Sequence, residues 1–474
     1  MNLGLTLVSN NYGRWLLWGI IAIVFSLGMP LSPISLQCPT IDSAIFLTCA
    51  KWMQDGLVMY RDMFDHKGPM IYLFDMLGLN FGLTGVWLLC IFWAVLTTHI
   101  VYLICRIYAD DKCSFLASIC FLLMTVITGG DNTVELVAMP FVAFAMLVLL
   151  RPIHDKQEVS CISVFIASLC LAVTFLLKPN IGAGIAFLAL VVLFNLLRNF
   201  SVTRFCLYLL SFLCGFAIIL IPLYLWLEHH NAWDDYLATF WQFNMEYSSN
   251  IKGASKLTSF LQLFFLYIPS LVSWGFILWC IISEWKTQKR IENFWLLAML
   301  IFTGIVSTGM SGFRFGHYLL PVFVIFAIFI AKAIGCIKKK YNFILYGLLV
   351  LWCCYFGYKQ YQTYKGAVNP AVKSNVEVAK YVKANTVKDN MICLYGVDAS
   401  VYLLSDRKSV TKYIYQNPIF GIRPSMYDEF ISDICHKKPS LLLVGKNESL
   451  PGSVMKSYTC KEIIGNGVSV FVLK

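Results

Sequence analysis

Charged side chains are scarce in this sequence. Asp, Glu, Lys and Arg make up 13% of its 474 residues, against 59% hydrophobic residues and a mean hydropathy of +0.70. That balance excludes a soluble globular domain. Other signals are missing as well. No CxxC pair occurs, so zinc is not suggested, and the adjacent His229 and His230 have no third ligand at useful spacing. No internal repeat is seen, and the polar tail after the last apolar run holds no phosphate loop or nucleophile elbow. The first apolar run is too long for a signal peptide and lacks a small-residue cleavage site, so it reads as retained. The formal charge of +11 is scattered over separate loops rather than gathered into a stripe, which argues against a nucleic-acid partner.

What the chain has in abundance is apolar runs near the ~20 residues that cross a bilayer as a helix. They fall at 15–34, 84–107, 113–128, 136–150, 160–177, 181–197, 205–227, 260–282, 294–308, 319–334 and 343–358. Eleven spans make a polytopic α-helical membrane protein. Counting Lys and Arg in short loops sets its orientation. Alternate loops hold Arg14, Arg106, Lys112, Arg151, Lys156, Arg198, Arg204, Lys286, Lys289, Arg290 and Lys338 to Lys340, whereas the opposite short loops hold only Lys178 and Arg314. This places the N-terminus in the cytoplasm and everything after the last span outside.

Two parts result: a membrane module over 1–358 and an outer tail over 359–474. The tail is polar and alternates, with helices expected over "VKSNVEVAKYVKANT" and "SMYDEFISDICHKK" and strands over "MICLYGV", "SVTKYIY", "SLLLVGK" and "SVFVLK". It reads as a small α/β domain with a structural or acceptor-facing role. Of the 17 cysteines, twelve lie in or at the ends of spans, where Cys is a small hydrophobe. A Cys38–Cys49 or Cys435–Cys460 bridge would suit an oxidising compartment.

Two outer loops, 35–83 and 228–259, are too long to be connectors. In the first, Ile45, Cys49, Trp52 and Met53 fall on one helical face with Thr48, Lys51 and Asp55 opposite, as in a helix lying in the interface with its Trp at headgroup depth. Asp42 stands at its start, where a carboxylate is favoured by free N–H groups. Then comes "YRDMFDHKGPM", which packs Arg61, Asp62, Asp65, His66 and Lys67 into seven residues, followed by a short apolar stretch suited to lie in-plane.

An acidic residue just after span one, an interfacial helix and "GLVMYRDMFDHKGPMIYLF" together resemble the bacterial relatives of protein O-mannosyltransferases and lipid A aminoarabinose transferases. These are membrane glycosyltransferases of the GT-C fold, family 39-like. "GGDNTVELVAMPF" after span three and "FRFGHYLLP" before span ten extend the resemblance over essentially the whole chain. Ser43 stands where many relatives carry a second acidic residue, and Gly68 replaces the first Pro of a usual pair.

The resemblance implies transfer of a sugar from a polyprenyl-phosphate carrier to a hydroxyl of a lipid, glycan or protein acceptor, at the outer face of the bacterial inner (plasma) membrane. The leaving phosphate is already a stable anion and needs cations rather than a general acid. Lys67 and Arg314, with His317 as donor and Arg61 as a weaker candidate, would supply them. The acceptor hydroxyl needs a carboxylate base. Asp42 fits that role, with Glu135 and Asp65 as supporting acidic groups, and single displacement would invert the anomeric centre. No metal site is assigned, although a divalent cation held by Asp42 and Glu135 would be compatible with the same chemistry.

Each residue also has a bland reading. Asp42 could cap its helix, Lys67 could snorkel, and Arg61, Asp62 and Asp65 could form a structural ion-pair cluster. Asp131 reads as a solvated loop residue, and Lys178–Pro179 as a phosphate contact or a helix stop. Glu135 at a span entrance is expensive and points to a cavity. The rival class, a transporter or flippase of lipid-linked sugars, would carry polar groups near mid-membrane on broken helices, commonly with repeats.

Overall fold

The computed structural model describes residues 11–474 except 199, 290, 292, 311 and 338–341, and the side chains of 342–346 are likewise not described. Arg290 and Lys338 to Lys340, four of the cations used to orient the chain, therefore lie outside the described residues.

In chain order the main helices are α1 (Asn11–Ser26), α2 (Ile41–Gln54), α3 (Met70–Leu79), α4 (Gly82–Tyr108), α5 (Asp111–Gly129), α6 (Val134–His154), α7 (Cys161–Phe175), α8 (Ala183–Arg198) and α9 (Val202–His229). They continue with α10 (Ile268–Gln288), α11 (Trp295–Gly304), α12 (Leu320–Gly335), α13 (Asn342–Ala367) and α14 (Pro370–Asn385). Among the described residues seven helices are long and apolar enough to cross a membrane, at 82–108, 111–129, 134–154, 179–198, 202–229, 268–288 and 316–335. Shorter apolar helices such as Cys161–Phe175 and Trp295–Gly309 join them. The protein is a multi-pass membrane protein with a small C-terminal sheet, and each expected span has a helix.

Two spans are displaced, for local reasons. The first expected span ends at 34, but α1 stops at Ser26, because Gly28, Pro30 and Pro33 cannot continue it and the chain turns through 27–35 instead. The eighth was expected over 260–282. Gly253–Leu261 and the π-turn Gln262–Leu266 form a separate element, and α10 begins at Ile268 with Pro269 in its first turn, where a missing N–H costs nothing.

The chain forms two compact units. The first comprises 1–26, 89–223 and 251–360; the second comprises 27–88, 224–250 and 361–474. The expected division at 358 and 359 falls close to one of these boundaries, but the first long outer loop and residues 228–250 of the second belong to the same unit as the tail.

In the first unit, α12 runs through the core with nearly every residue buried, packed against α5 and α10. One end of the bundle is tied by a charged cluster. The guanidinium of Arg14, buried within α1 rather than in a loop, reaches the Asp111 carboxylate at 2.7 Å and donates to the Tyr102 hydroxyl, while Arg106 pairs with the same Asp111. Burying Arg14 is tolerable because each charge has a partner. A second buried pair, Lys332 to Glu284 at 2.6 Å, joins α12 to α10.

In the second unit, strands β1 (Met391–Tyr395), β2 (Lys408–Ser409), β3 (Leu441–Val444), β4 (Tyr458–Ile464) and β5 (Val468–Leu473) form one mixed sheet of order β2-β1-β3-β5-β4. β1 is parallel to β2 and β3; β3, β5 and β4 run antiparallel, β4 and β5 as a hairpin across Gly465 and Gly467, both at positive φ. The expected strand "SVTKYIY" is not one. Only Lys408 and Ser409 pair with β1, and 410–415 turn away. β4 is mostly exposed and polar, which hid it from a hydrophobicity reading.

The tail does not build its core alone. Phe64 of the first outer loop and Phe243 of the second are buried in one cluster with Cys393, Tyr413, Phe430, Leu442 and Tyr458. The Phe64 N–H donates to the Lys412 carbonyl at 2.8 Å. Trp52 is 3% exposed, edge-on to Tyr402 at 5.4 Å, so it packs inside protein rather than at headgroup depth. Thr48, expected on a polar face, is fully buried against Ala399, at the start of the short helix 400–405. All 17 cysteines are free thiols, so neither Cys38–Cys49 nor Cys435–Cys460 is bridged.

Candidate functional site

The second unit positions Asp42, Asp65, Lys67 and Arg61. Asp42 lies in the first turn of α2, whose following residues from Ser43 to Ala50 are all buried. The N-cap is Thr40, and no side-chain cap bond forms. Asp42 is exposed and, among the described residues, has no hydrogen-bond or ion-pair partner, though it lies close enough to Asp65 to repel its charge. The neighbouring Ser43, at the place of the relatives' second acid, is buried with its hydroxyl unpaired. The bland reading of Asp42 as a side-chain cap therefore has no hydrogen bond behind it.

The charged knot separates into two parts. The Arg61 guanidinium makes a two-pronged contact with the Asp62 carboxylate, both bonds 2.8 Å, and also donates to the His230 carbonyl. That pairing holds the Asp62 carboxyl below its usual range and leaves Arg61 engaged. Asp65 is not in this ion pair. It is 1% exposed and accepts from the Tyr72 hydroxyl at 2.6 Å and the Tyr415 hydroxyl at 3.0 Å.

Lys67 extends this network. Its Nζ lies 2.8 Å from His66 Nε2, and His66 Nδ1 lies 2.8 Å from the Tyr415 oxygen. A hydroxyl has one proton to give. If Tyr415 gives it to ionised Asp65, it must accept from His66 Nδ1–H, which leaves Nε2 free to accept from the Lys67 ammonium. The donors then all run one way, from Lys67 through His66 and Tyr415 to Asp65. Burial pushes the Tyr415 phenol well up, so it remains a donor at neutral pH. The backbone is fixed too: Tyr60 Oη donates to the Lys67 carbonyl at 2.8 Å and Asn244 Nδ2 to the His66 carbonyl at 2.6 Å.

Burial raises the Asp65 carboxyl above its ordinary value, against the opposing pull of Lys67 and the two hydroxyls. The folded state then holds this proton more tightly than the unfolded chain does, so stability is full below the ordinary carboxyl pKa of about 4 and declines as pH climbs through the raised value. The thermal midpoint of the whole chain in detergent should accordingly fall from pH ~4 towards neutrality. Asp65→Asn should flatten that fall, and an unchanged slope would place the titrating group elsewhere.

The first unit positions Glu135, Lys178, His317 and Arg314. Gly130 at φ +70° ends α5, and Thr133 caps α6 by accepting from the Leu136 N–H at 3.3 Å. This delivers Glu135, 4% exposed, into the first turn of α6. Its Oε1 accepts from Lys178 Nζ at 2.6 Å, and its Oε2 lies 3.8 Å from His317 Nε2. Lys178 also stands 3.9 Å over the Tyr318 ring, so it serves Glu135 rather than merely stopping a helix. Asp131, expected to be solvated, is 3% exposed.

The "FRFGHYLLP" run is extended through Phe315, then forms a 3-10 turn at Gly316–Leu319 before Pro321 opens α12. A Cβ at Gly316 would meet Thr128 Cγ2 at 3.0 Å, close enough that the threonine would have to give way. His317 stacks on Phe315 with ring centres 5.5 Å apart. Arg314 is exposed and has no hydrogen-bond or ion-pair partner among the described residues. Also among these, no three His, Cys, Asp or Glu side chains gather as they would around a metal ion.

Among the described residues, Asp42 in the second unit and Arg314 in the first are thus without partners, while the buried acids Asp65 and Glu135 are each held by named partners. Sequence reading saw His66 in the knot without giving it a role, and missed Tyr72 and Tyr415. Tyr415 stands 350 residues from Asp65, and no local pattern connects them.

No protein-family profile matches the chain, and no curated protein matches it in sequence. Its structure does have counterparts. ArnT from Cupriavidus metallidurans, solved bound to undecaprenyl phosphate, superposes with a TM-score of 0.70 at 12% identity, over 98% of each chain. The oligosaccharyltransferase of Archaeoglobus fulgidus, solved with Zn and sulfate, superposes with a TM-score of 0.51 at 14% identity, over 97% of this chain and 73% of that one. A backbone that superposes on the first of these over nearly its whole length has the GT-C fold.

Proposed function

We propose that the protein is an integral-membrane glycosyltransferase that moves a sugar from a polyprenyl-phosphate carrier to a hydroxyl of a lipid, polysaccharide or protein acceptor. The observation that carries this reading is Asp42, an exposed carboxylate without a cap bond or an ion-pair partner among the described residues, on a helix buried from Ser43 to Ala50. Such a group is free to take the acceptor's proton as the hydroxyl attacks the anomeric carbon. The fold shared with ArnT, solved with a polyprenyl phosphate, supports a donor of that class.

The candidates for meeting the leaving phosphate are Lys67 in the second unit, whose ammonium is hydrogen-bonded to His66, and, in the first unit, Arg314, unpaired among the described residues, with His317 as a further donor. Arg61 is the weaker phosphate candidate, being held by Asp62. Glu135 positions Lys178 and faces His317 rather than taking a proton itself. Displacement in one step inverts the sugar. The asymmetry of loop charges supports a site at the outer face of the plasma membrane, with the N-terminus inside. A transporter would carry its charges at mid-span, whereas Glu135 lies in the first turn of α6 and Lys178 just beyond α7.

Deleting the gene should leave one envelope lipid, polysaccharide or glycoprotein lighter by the mass of a single sugar. Mass spectrometry of the three fractions checks this. An unchanged envelope under expression conditions would remove the reading.

A further inference from the structure

At the opposite end of α6 from Glu135, a distance of about 27 Å along the helix, the first unit contains a polar cavity of about 520 Å³. It is framed by the loop from Ile153 to Val159, the last turns of α8 and the first turns of α9. Lys156, Arg198 and Arg204 line it, with Glu158 as an acidic member. Arg204 is spoken for, since its Nη1 lies 2.6 Å from Glu158 Oε1. Lys156 and Arg198 have no carboxylate partner among the described residues.

Two helix N-termini add positive potential at the same end. α7 begins beside the cavity with Ser160 as its cap, and α9 begins there with Ser201 Oγ accepting from the Arg204 N–H. Tyr208 on α9 donates to the Val159 carbonyl, which ties that helix to the loop. Below this charged mouth the surface is apolar: Leu193 and Leu197 on α8 and Phe205 and Leu209 on α9 are all exposed. Only 6% of the apolar window of α9 is buried, so most of that helix faces lipid.

A net cationic cavity with exposed apolar residues on the same two helices matches one chemical class, an amphiphile with an anionic head and hydrocarbon tails. We infer that this cavity is a binding site for the phosphate headgroup of an anionic phospholipid, separate from the sugar-transfer site and beyond its chemistry. Lys156 and Arg198 contact the phosphate oxygens, and the acyl chains lie along α8 and α9. Glu158 moderates the affinity by holding Arg204.

The test uses the full chain in lipid nanodiscs and neutral detergent, with bound lipid counted by native mass spectrometry and thermal unfolding followed in parallel. Phosphatidylglycerol should bind and raise the melting temperature, whereas phosphatidylcholine and inorganic phosphate should not. Lys156→Ala combined with Arg198→Ala should weaken phosphatidylglycerol binding on the order of thirtyfold, from two cations near a lipid surface. Arg151→Ala, a nearby exposed cation that does not line the cavity, should change nothing. Glu158→Gln should tighten binding by releasing Arg204, a gain that misfolding cannot imitate. Equal binding of phosphatidylcholine, stabilisation by free phosphate alone, a double variant that binds like the parent, or no gain in Glu158→Gln would each overturn the site.

Discussion

Asp42→Asn should reduce sugar transfer by roughly a hundredfold or more, within the range for removing a general base, while leaving the protein folded in the membrane. The substitution is close to isosteric, and Asn serves as well as Asp near a helix start. Asp42 makes no side-chain cap bond and is exposed, so little packing depends on it. The amide cannot accept the acceptor's proton at neutral pH, so the loss should appear in the rate of transfer rather than in binding of the polyprenyl-phosphate sugar. Equal loss of donor binding, or near-normal turnover, would reduce Asp42 to a surface residue. Glu135 supplies the contrast. Lys178→Ala would strand a buried carboxylate, costing about 3–5 kcal/mol, and should show as loss of folded protein.

Lys67→Ala and Arg314→Ala should each weaken use of the lipid-linked donor by on the order of a hundredfold, as when one preorganised group facing a developing charge is removed. Acceptor affinity should change little in either. The two residues differ in what else they hold. Arg314 has no protein partner among the described residues, so its loss should be felt only when donor is present. Lys67 also donates to His66, so its alanine variant should additionally loosen the chain that runs to Tyr415 and Asp65. Lys67→Arg and Arg314→Lys should retain more activity than alanine, with the Arg replacement the costlier because a planar fork matches phosphate oxygens in a way an ammonium does not. Alanine variants that bind donor normally and lose only the acceptor would reverse the assignment of these two residues.

The membrane helices were legible in the sequence because the solvent they face dictates their composition. Apolar runs mark where backbone must satisfy itself within a bilayer. The misplacements at 27–34 and 260–267 came where Pro, Gly and short π-turns break helices inside runs that remain apolar. What could not be read was long-range. α2 looked amphipathic and interfacial, yet Trp52 and Thr48 are covered by residues near 400 that nothing in the local pattern announces. Asp65 looked like a member of an ion-pair knot because its neighbours in sequence are charged. Its real partners are two tyrosines, one of them in the tail. Asp131 looked solvated because its flanks are Gly and Asn, but the turn that caps α6 buries it. Candidate residues could therefore be named where a motif is contiguous, and their partners were missed where the fold brings them from segments hundreds of residues apart.

The most direct measurement of the central claim combines product and stereochemistry. The purified full chain in proteoliposomes would be given a polyprenyl-phosphate sugar of known anomeric configuration together with an envelope extract from the deletion strain as acceptor. Released polyprenyl phosphate and the anomeric proton coupling of the transferred sugar would then be followed. The account predicts one polyprenyl phosphate released per sugar transferred, an inverted anomeric centre, and almost no release with Asp42→Asn. Movement of the intact lipid-linked sugar across the bilayer without release would contradict it, as would transfer with retained configuration.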